Sequence, residues 1–178
     1  MDDVPERPLP NRNGGKFMSM IGYYLRADED TVNKIREGDT GILFGEENDK
    51  NLACIDKAWH AIHYIVTGCV WDIPDDNILG HLVLGGEPIN DEDMGYGPAR
   101  LIPAETVKLL HEALKPWDEG FFRENFHMQD MIDNEIYPVM SDEDEADFFE
   151  YVWANFDELK KFFEEAANAG ENVIAFLA

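Results

Sequence analysis

The sequence predicts a single, helix-rich α/β domain of three layers, with a small central sheet that contains both the first and the last strand. Two runs rich in β-branched and aromatic residues, 20–25 and 172–177, have the length of buried strands. Between these runs, apolar residues recur mainly at steps of three and four, the period that lines one face of an α-helix. No linker-like composition and no internal repeat follows residue 18, so we expect one domain over 18–178.

Composition indicates a soluble protein with an acidic surface. The 178 residues include 38 Asp and Glu but 14 Lys and Arg, a formal net charge of -24, and 44% are hydrophobic. A chain of this length can bury a substantial core. Its charge repels DNA, RNA and anionic membranes, and no basic cluster offsets it, so we expect neither a nucleic acid nor a membrane as partner. The charge is compatible with solubility alone or with a basic protein partner.

The hydropathy of the chain, its first 17 residues and its two cysteines are informative about where the protein is located. No apolar run approaches the roughly 20 residues that span a bilayer, and residues 1–17 lack the hydrophobic centre of a secretory signal, which predicts a cytoplasmic location. Residues 1–17 contain three prolines and a Gly-Gly pair, which predicts a flexible N-terminal extension. Cys54 and Cys69, at opposite ends of one predicted helix, would lie about 20 Å apart, so we expect both to be reduced and buried.

Residues 51–68 predict a helix at the centre of the fold. Apolar residues recur there at steps of three and four, and Gly68 follows where a left-handed cap is common. This face consists of Leu52, Ile55, Trp59, Ile62 and Val66. Three further apolar residues widen the arc, so most of the circumference of this helix requires burial.

The remaining helices are predicted by local start and stop signals. A short helix ends near residue 37, an apolar helical segment covers 77–84, and Pro103 opens a helix that Pro116 ends. Residues 117–134 predict one helix or two short ones. Ser141, with an acid three residues later, predicts the start of a long helix that ends at Gly170.

Several short segments together resemble the YfbM-like proteins, a bacterial family of unknown function. They are Met20-Ile21-Gly22-Tyr23, Asp56-Lys57-Ala58-Trp59 with His63 and Thr67-Gly68, Gly95-Tyr96-Gly97-Pro98-Ala99-Arg100, Ile136-Tyr137-Pro138, and the terminal helix and strand. The resemblance covers almost the whole chain from Met18. It implies a single compact three-layer α/β domain, and it supplies no established activity, substrate or catalytic residue.

A metal site is the first candidate for chemistry. Asp56, His60 and His63 lie on one side of the predicted central helix, and two imidazoles with a carboxylate are suitable metal ligands. An H-x-x-H spacing without a further ligand motif is frequent by chance. We therefore expect no metal and no cofactor, with His63 partly buried beside Trp59 and His60 at the edge of the core.

The loop from Gly95 to Arg100 is the second candidate. Two glycines there allow close approach of the backbone, and Arg100 is one of few cations in an acidic chain. With Tyr96, it is a candidate for holding a phosphate or a carboxylate. The alternative is a tight turn at Gly97-Pro98, with Arg100 paired to acids of its own chain.

The absence of familiar catalytic motifs favours a binding protein. The sequence has no G-x-S-x-G elbow, no phosphate-binding P-loop, no H-E-x-x-H and no paired-cysteine zinc motif. We expect it to bind a basic protein partner, in an immunity-like role, or a small anionic ligand. The candidate ligand-binding residues are Trp59, His63, Tyr96 and Arg100. The alternative is a small enzyme acting on an anionic metabolite, with His63 as general base and Arg100 as anion holder in one cleft.

Overall fold

The protein forms one five-stranded antiparallel sheet flanked by helices. The structure, a computed structural model, describes residues 19–178 apart from the side chains of residues 46, 47 and 49. The predicted flexible extension over 1–17 lies outside these residues. The strands, in sheet order, are β2 (Leu52–Cys54), β1 (Gly22–Ala27), β5 (Asn172–Leu177), β4 (Pro98–Ile102) and β3 (Glu87–Asp93).

The first and last strands lie together in the middle of the sheet, as predicted. β1 pairs with β5 along its whole length, from Gly22 opposite Leu177 to Ala27 opposite Asn172. β4 covers the other edge of β5, with Arg100 opposite Ala175. β5 is therefore the central strand, and nearly all of its residues are buried.

Six α-helices and three short 3₁₀ helices cover the sheet in the described part of the chain. The α-helices are α1 (Glu29–Arg36), α2 (Trp59–Thr67), α3 (Ala104–Leu114), α4 (Glu119–Glu124), α5 (Met128–Asp133) and α6 (Glu145–Ala169). The 3₁₀ helices are Thr40–Phe44, Glu46–Asn51 and Ile78–His81. Residues 117–134 thus contain two short helices, one of the two predicted outcomes.

Two apolar clusters lie on opposite faces of the sheet. Tyr24 and Ala175 point to the larger cluster, which is built with α2 to α6, whereas Leu25 and Ile174 point to a smaller cluster under α1. This alternation is the period of a β-strand. The sheet between two helical layers confirms the predicted three-layer α/β domain.

The prediction of a central helix over 51–68 is wrong for residues 51–58, nearly half of its length. Leu52–Cys54 form strand β2 on the free edge of β1, and α2 begins only at Trp59. The chain turns between them at Asp56, whose φ of 46° is left-handed. Backbone N–H and C=O groups at the free edge of β1 need hydrogen-bond partners. Strand β2 supplies them, and the helix that follows is shorter for that reason.

The sheet edges and short turns account for the other differences. The segment predicted as a helix over 77–84 contains one 3₁₀ turn, Ile78–His81, and the side chain of its N-cap Asn77 accepts a hydrogen bond from the Leu79 amide. Strand β3 was not predicted. Cys54 is exposed because it lies on an edge strand, and Cys69, just after α2, is half-buried, so the prediction that both are buried is wrong.

The long helix α6 begins at Glu145, four residues after the predicted start signal at Ser141. Its N-cap is Asp144, whose Oδ1 accepts hydrogen bonds from the amides of Ala146 and Asp147. Gly170, at φ 70°, ends it as predicted. No helix within residues 19–178 has the length and apolar character needed to cross a bilayer.

Candidate functional site

The larger concave site lies between the start of α2, the segment before α6, and α6 itself. We call it the acidic cleft; its volume is about 490 Å³. Its lining residues are Asp56, Lys57, Pro138, Met140, Asp142, Glu143, Phe148 and Tyr151. Three carboxylates, one ammonium group and an apolar floor therefore share one opening.

Asp56 is held in place by α6. The Tyr151 hydroxyl donates a hydrogen bond to Asp56 Oδ2 at 2.8 Å and accepts one from the Lys57 amide at 3.0 Å. Burial, and then the hydrogen bond to Asp56, raise the pKa of Tyr151, so its hydroxyl stays protonated and remains a donor. Asp56 Oδ1 has no hydrogen-bond partner among residues 19–178. One carboxylate oxygen is thus anchored and the other is free to meet a ligand.

The opposite wall of the cleft is the segment that follows Tyr137. Asp142 and Glu143 are exposed, as is Met140 at 63%, whereas Phe148 is buried. The Tyr137 amide donates a hydrogen bond to His60 Nδ1 at 3.1 Å, which ties this segment to α2. The acids and the apolar groups of the cleft are therefore presented by segments anchored to the core.

The two histidines of α2 form hydrogen bonds with backbone groups, as structural histidines do. His60 Nε2 donates to the Val70 carbonyl at 2.8 Å and Nδ1 accepts from Tyr137, so the ring is neutral. His63 has no exposed surface, and its Nε2 donates to the Asp72 carbonyl at 3.2 Å. Burial lowers the pKa of both rings, and that of His63, with a further contribution from His60, falls to about 4.

The candidate metal ligands do not converge. Asp56 binds Tyr151, His60 binds Val70 and Tyr137, and His63 binds Asp72. Within residues 19–178, no group of three or more His, Cys, Asp or Glu side chains is arranged to hold a metal ion. Trp59 is also a core residue: it is 1% exposed, and its indole N–H donates to the Met20 carbonyl.

A smaller cavity of about 50 Å³ lies on the face of the sheet that packs against α2 to α6, and its lining includes Arg100 and Tyr96. Arg100 Nη1 donates to the Gly86 carbonyl at 3.2 Å. The hairpin that carries Tyr96 is fixed by Asp93, whose Oδ1 accepts from the amides of Gly95 and Gly97. The structure thus brings Tyr96 and Arg100 to one cavity, whereas His63 and Trp59 do not line it.

Sequence reasoning missed most of the acidic cleft. Asp56 was considered as a metal ligand and not as part of a cleft, and Tyr151 was not considered. The two residues are 95 positions apart, and the periodicity of α6 gives no sign that Tyr151 reaches the start of α2. The exposure of Met140, at 63% and next to Asp142 and Glu143, is visible only in the structure.

Residues 19–178 thus form a single α/β domain with an acidic cleft, and no familiar catalytic set lies among these residues. A family model described as "Domain of unknown function (DUF1877)" matches residues 18–176, and the chain belongs to this family.

A curated relative and a solved structure agree with this assignment. The chain is 23% identical over 167 residues to "Protein YfbM" of Escherichia coli (strain K12), which covers 90% of this chain and 99% of that protein. A crystal structure of YfbM from Escherichia coli, described as a protein of unknown function, matches with a TM-score of 0.68 at 24% identity, over 89% of this chain and all of that one. The resemblance to the YfbM-like proteins is therefore confirmed.

Proposed function

We propose that this protein acts by binding a basic protein partner, and that the acidic cleft receives a cationic side chain of that partner. The observation that carries the proposal is the cleft itself: Asp56, Asp142 and Glu143 surround an opening whose lining also includes Met140 and Phe148. Lys and Arg side chains combine an apolar stem with a charged end, so such a site can contact both parts.

The free oxygen of Asp56 supports a directional contact. Because Tyr151 occupies Oδ2, the carboxylate is already oriented, and a guanidinium or ammonium group can bind Oδ1 without first ordering the side chain. Lys57 lies in the same lining and opposes any cation at that end. We therefore place the incoming charge between Asp56 and the Asp142–Glu143 wall.

The charge of the whole chain supports the same class of partner. A net charge of -24 accelerates the encounter with a basic protein and slows the encounter with acidic ones. An immunity-like role, in which the acidic surface covers a basic enzyme, is the specific form of this proposal. The enzyme alternative gains no geometric support, since His63 is fully buried and does not share the cavity of Arg100.

A titration with a short peptide of alternating Arg and Gly tests the cleft. Asp142→Asn combined with Glu143→Gln removes two charges from the cleft, and Asp91→Asn combined with Glu92→Gln removes two from exposed positions of β3 at the far edge of the sheet. We expect the cleft variant to bind about fivefold more weakly, because two exposed ion pairs together contribute about 1 kcal/mol. The β3 variant should change the affinity by less than about twofold.

Equal weakening by the two double variants would mean that the peptide responds to overall charge, and it would refute a specific role for the cleft. Asp56→Asn provides a second check, because asparagine tolerates the left-handed backbone at this position. It should weaken peptide binding while leaving the fold intact, as judged by the unfolding temperature.

A further inference from the structure

A row of three residues crosses the centre of the sheet beneath the smaller cavity. Tyr24 on β1 and Arg100 on β4 both lie opposite Ala175 of β5, so all three side chains project from the same face. Ala175 is small and separates the two larger side chains. Gly22, in the adjacent row of β1, adds no side chain, and Val83 and Leu84 close the cavity from the helical side.

Arg100 has no carboxylate partner in the described part of the chain. Its one hydrogen bond, from Nη1 to the Gly86 carbonyl, leaves the donors at Nε and Nη2 without a protein acceptor. Arg26 is similarly half-buried but lies 2.7 Å from Glu165 and 3.4 Å from Glu171. The free donors of Arg100 are not fully buried and are accessible from the cavity. An anion can therefore accept charge-assisted hydrogen bonds from them, which are about twice as strong as bonds between neutral groups.

Tyr24 supplies a second unused donor on this row. The residue is 2% exposed, and its hydroxyl has no hydrogen-bond partner within residues 19–178. Burial raises the pKa of Tyr24, so the hydroxyl stays protonated. The hydroxyl is not a fully buried atom, and Tyr24 lines the cavity, so this group can donate a hydrogen bond to a ligand there.

We propose that this cavity binds a small oxyanion, a carboxylate or inorganic phosphate, through the guanidinium of Arg100 with Tyr24 as a further donor. The volume of about 50 Å³ sets the size of the ligand. At roughly 10–15 Å³ for one water-sized group, it holds about three to five heavy atoms, the size of acetate or phosphate. The flat fork of a guanidinium suits both anions, since each presents two oxygens side by side.

This site is independent of the acidic cleft. The two linings share no residue, and the anion site would exist whether or not a basic protein binds. The overall negative charge opposes an anion at long range, but at physiological ionic strength exposed charges beyond about 8 Å are largely screened. The local guanidinium therefore decides the binding.

Titrations of the intact protein with sodium acetate and with sodium phosphate, followed by amide chemical shifts, test the proposal. We expect saturable shifts around Tyr24, Val83 and Arg100 with at least one anion. A response to acetate alone assigns the site to carboxylates, a response to phosphate alone assigns it to phosphate, and a response to both defines a general oxyanion site.

Three variants decide whether Arg100 is responsible. Arg100→Gln should weaken binding at least about tenfold, whereas Arg36→Gln, which removes the same charge from an exposed position of α1, should leave the affinity unchanged. Ala175→Val keeps the charge but fills the cavity, and it should also abolish binding. Ala175→Val therefore still tests the anion site if Arg100→Gln fails to fold. The proposal is overturned if neither anion gives saturable shifts, or if Arg36→Gln weakens binding as much as Arg100→Gln.

Discussion

At the scale of single residues, His63 couples the stability of the fold to pH. Its pKa is 6.5 in an unfolded chain and about 4 in the folded protein. Between these values the unfolded state binds a proton that the folded state does not, so the free energy of unfolding falls as the pH falls from 6.5 towards 4. The stabilisation is complete above pH 6.5 and amounts to about 3 kcal/mol.

Urea unfolding of the wild type and of His63→Gln at about pH 7 and pH 5 measures this contribution. The variant should lose about 2 kcal/mol less than the wild type on acidification, because glutamine does not titrate. His60 and the carboxylates are present in both proteins and cancel in the comparison. An equal loss in the two proteins would show that His63 does not stay neutral in the folded state.

The Tyr151 hydroxyl is a second residue-scale determinant, because it serves two partners at once. Tyr151→Phe removes the donor to Asp56 and the acceptor of the Lys57 amide, so we expect a loss of about 1–3 kcal/mol in the free energy of unfolding. Tyr64→Phe is the matched control, since its hydroxyl accepts a single, long hydrogen bond of 3.4 Å from Asn134. It should cost less than about 0.5 kcal/mol by the same denaturation measurement, and equal losses would contradict the anchoring of Asp56.

At the scale of elements, the structure and the sequence give different N-caps for α6, Asp144 and Ser141 respectively. Asp144 accepts two amide hydrogen bonds in the first turn, so Asp144→Ala should lower the free energy of unfolding by about 1 kcal/mol. Ser141→Ala should change it by less than about 0.5 kcal/mol, because the helix begins after it. Chemical denaturation of both variants tests which residue caps the helix. If the capping box predicted at Ser141 were right, Ser141→Ala would lower the free energy of unfolding more than Asp144→Ala.

Elements whose own residues specify them were predictable, and elements specified by their neighbours were not. α3 and α6 have long apolar faces and clear end signals, and β1 and β5 are mostly apolar runs. By contrast, β3 has the acidic sequence Glu-Pro-Ile-Asn-Asp-Glu-Asp, in which Ile89 alone is buried, because an edge strand needs one partner and little core contact.

The central helix shows the same principle at its boundary. Leu52 and Ile55 fit a helical period, but pairing with β1 takes Leu52–Cys54 into the sheet. Periodicity cannot distinguish a short strand followed by a turn from the first turn of a helix, when the apolar spacing suits both. The strained backbone of Asp56 marks the point where the two differ.

At the scale of the whole molecule, the candidate sites differ in how far the sequence predicts them. Tyr96 and Arg100 were predictable as a pair, since one hairpin and the strand after it carry both. The acidic cleft joins three segments that are far apart in sequence, and its existence depends on how α6 packs across α2. The hypothesis that His63 pairs with Arg100 required contact between distant elements; His63 is fully buried and does not line the cavity that contains Arg100.

Net charge makes the stability of the whole molecule dependent on salt. The chain carries -24, and the ion pairs within residues 19–178 engage only four cations, Arg26, Lys115, Arg123 and Lys161. Repulsion among the remaining acids therefore outweighs attraction and destabilises the compact state. Raising the sodium chloride concentration from about 0.01 M to 0.1 M shortens the screening length from about 30 Å to 10 Å, which weakens this repulsion.

The unfolding temperature should consequently rise by a few degrees over this range of salt, as measured by calorimetry. A variant that combines Asp91→Asn, Glu92→Gln, Asp142→Asn and Glu143→Gln carries four fewer negative charges, so its unfolding temperature should rise less. A fall in the unfolding temperature with salt would mean that the surface ion pairs, rather than repulsion, dominate the electrostatic free energy. Such a result would also weaken the case for a basic partner, because a chain whose charges are internally balanced has little long-range attraction to offer.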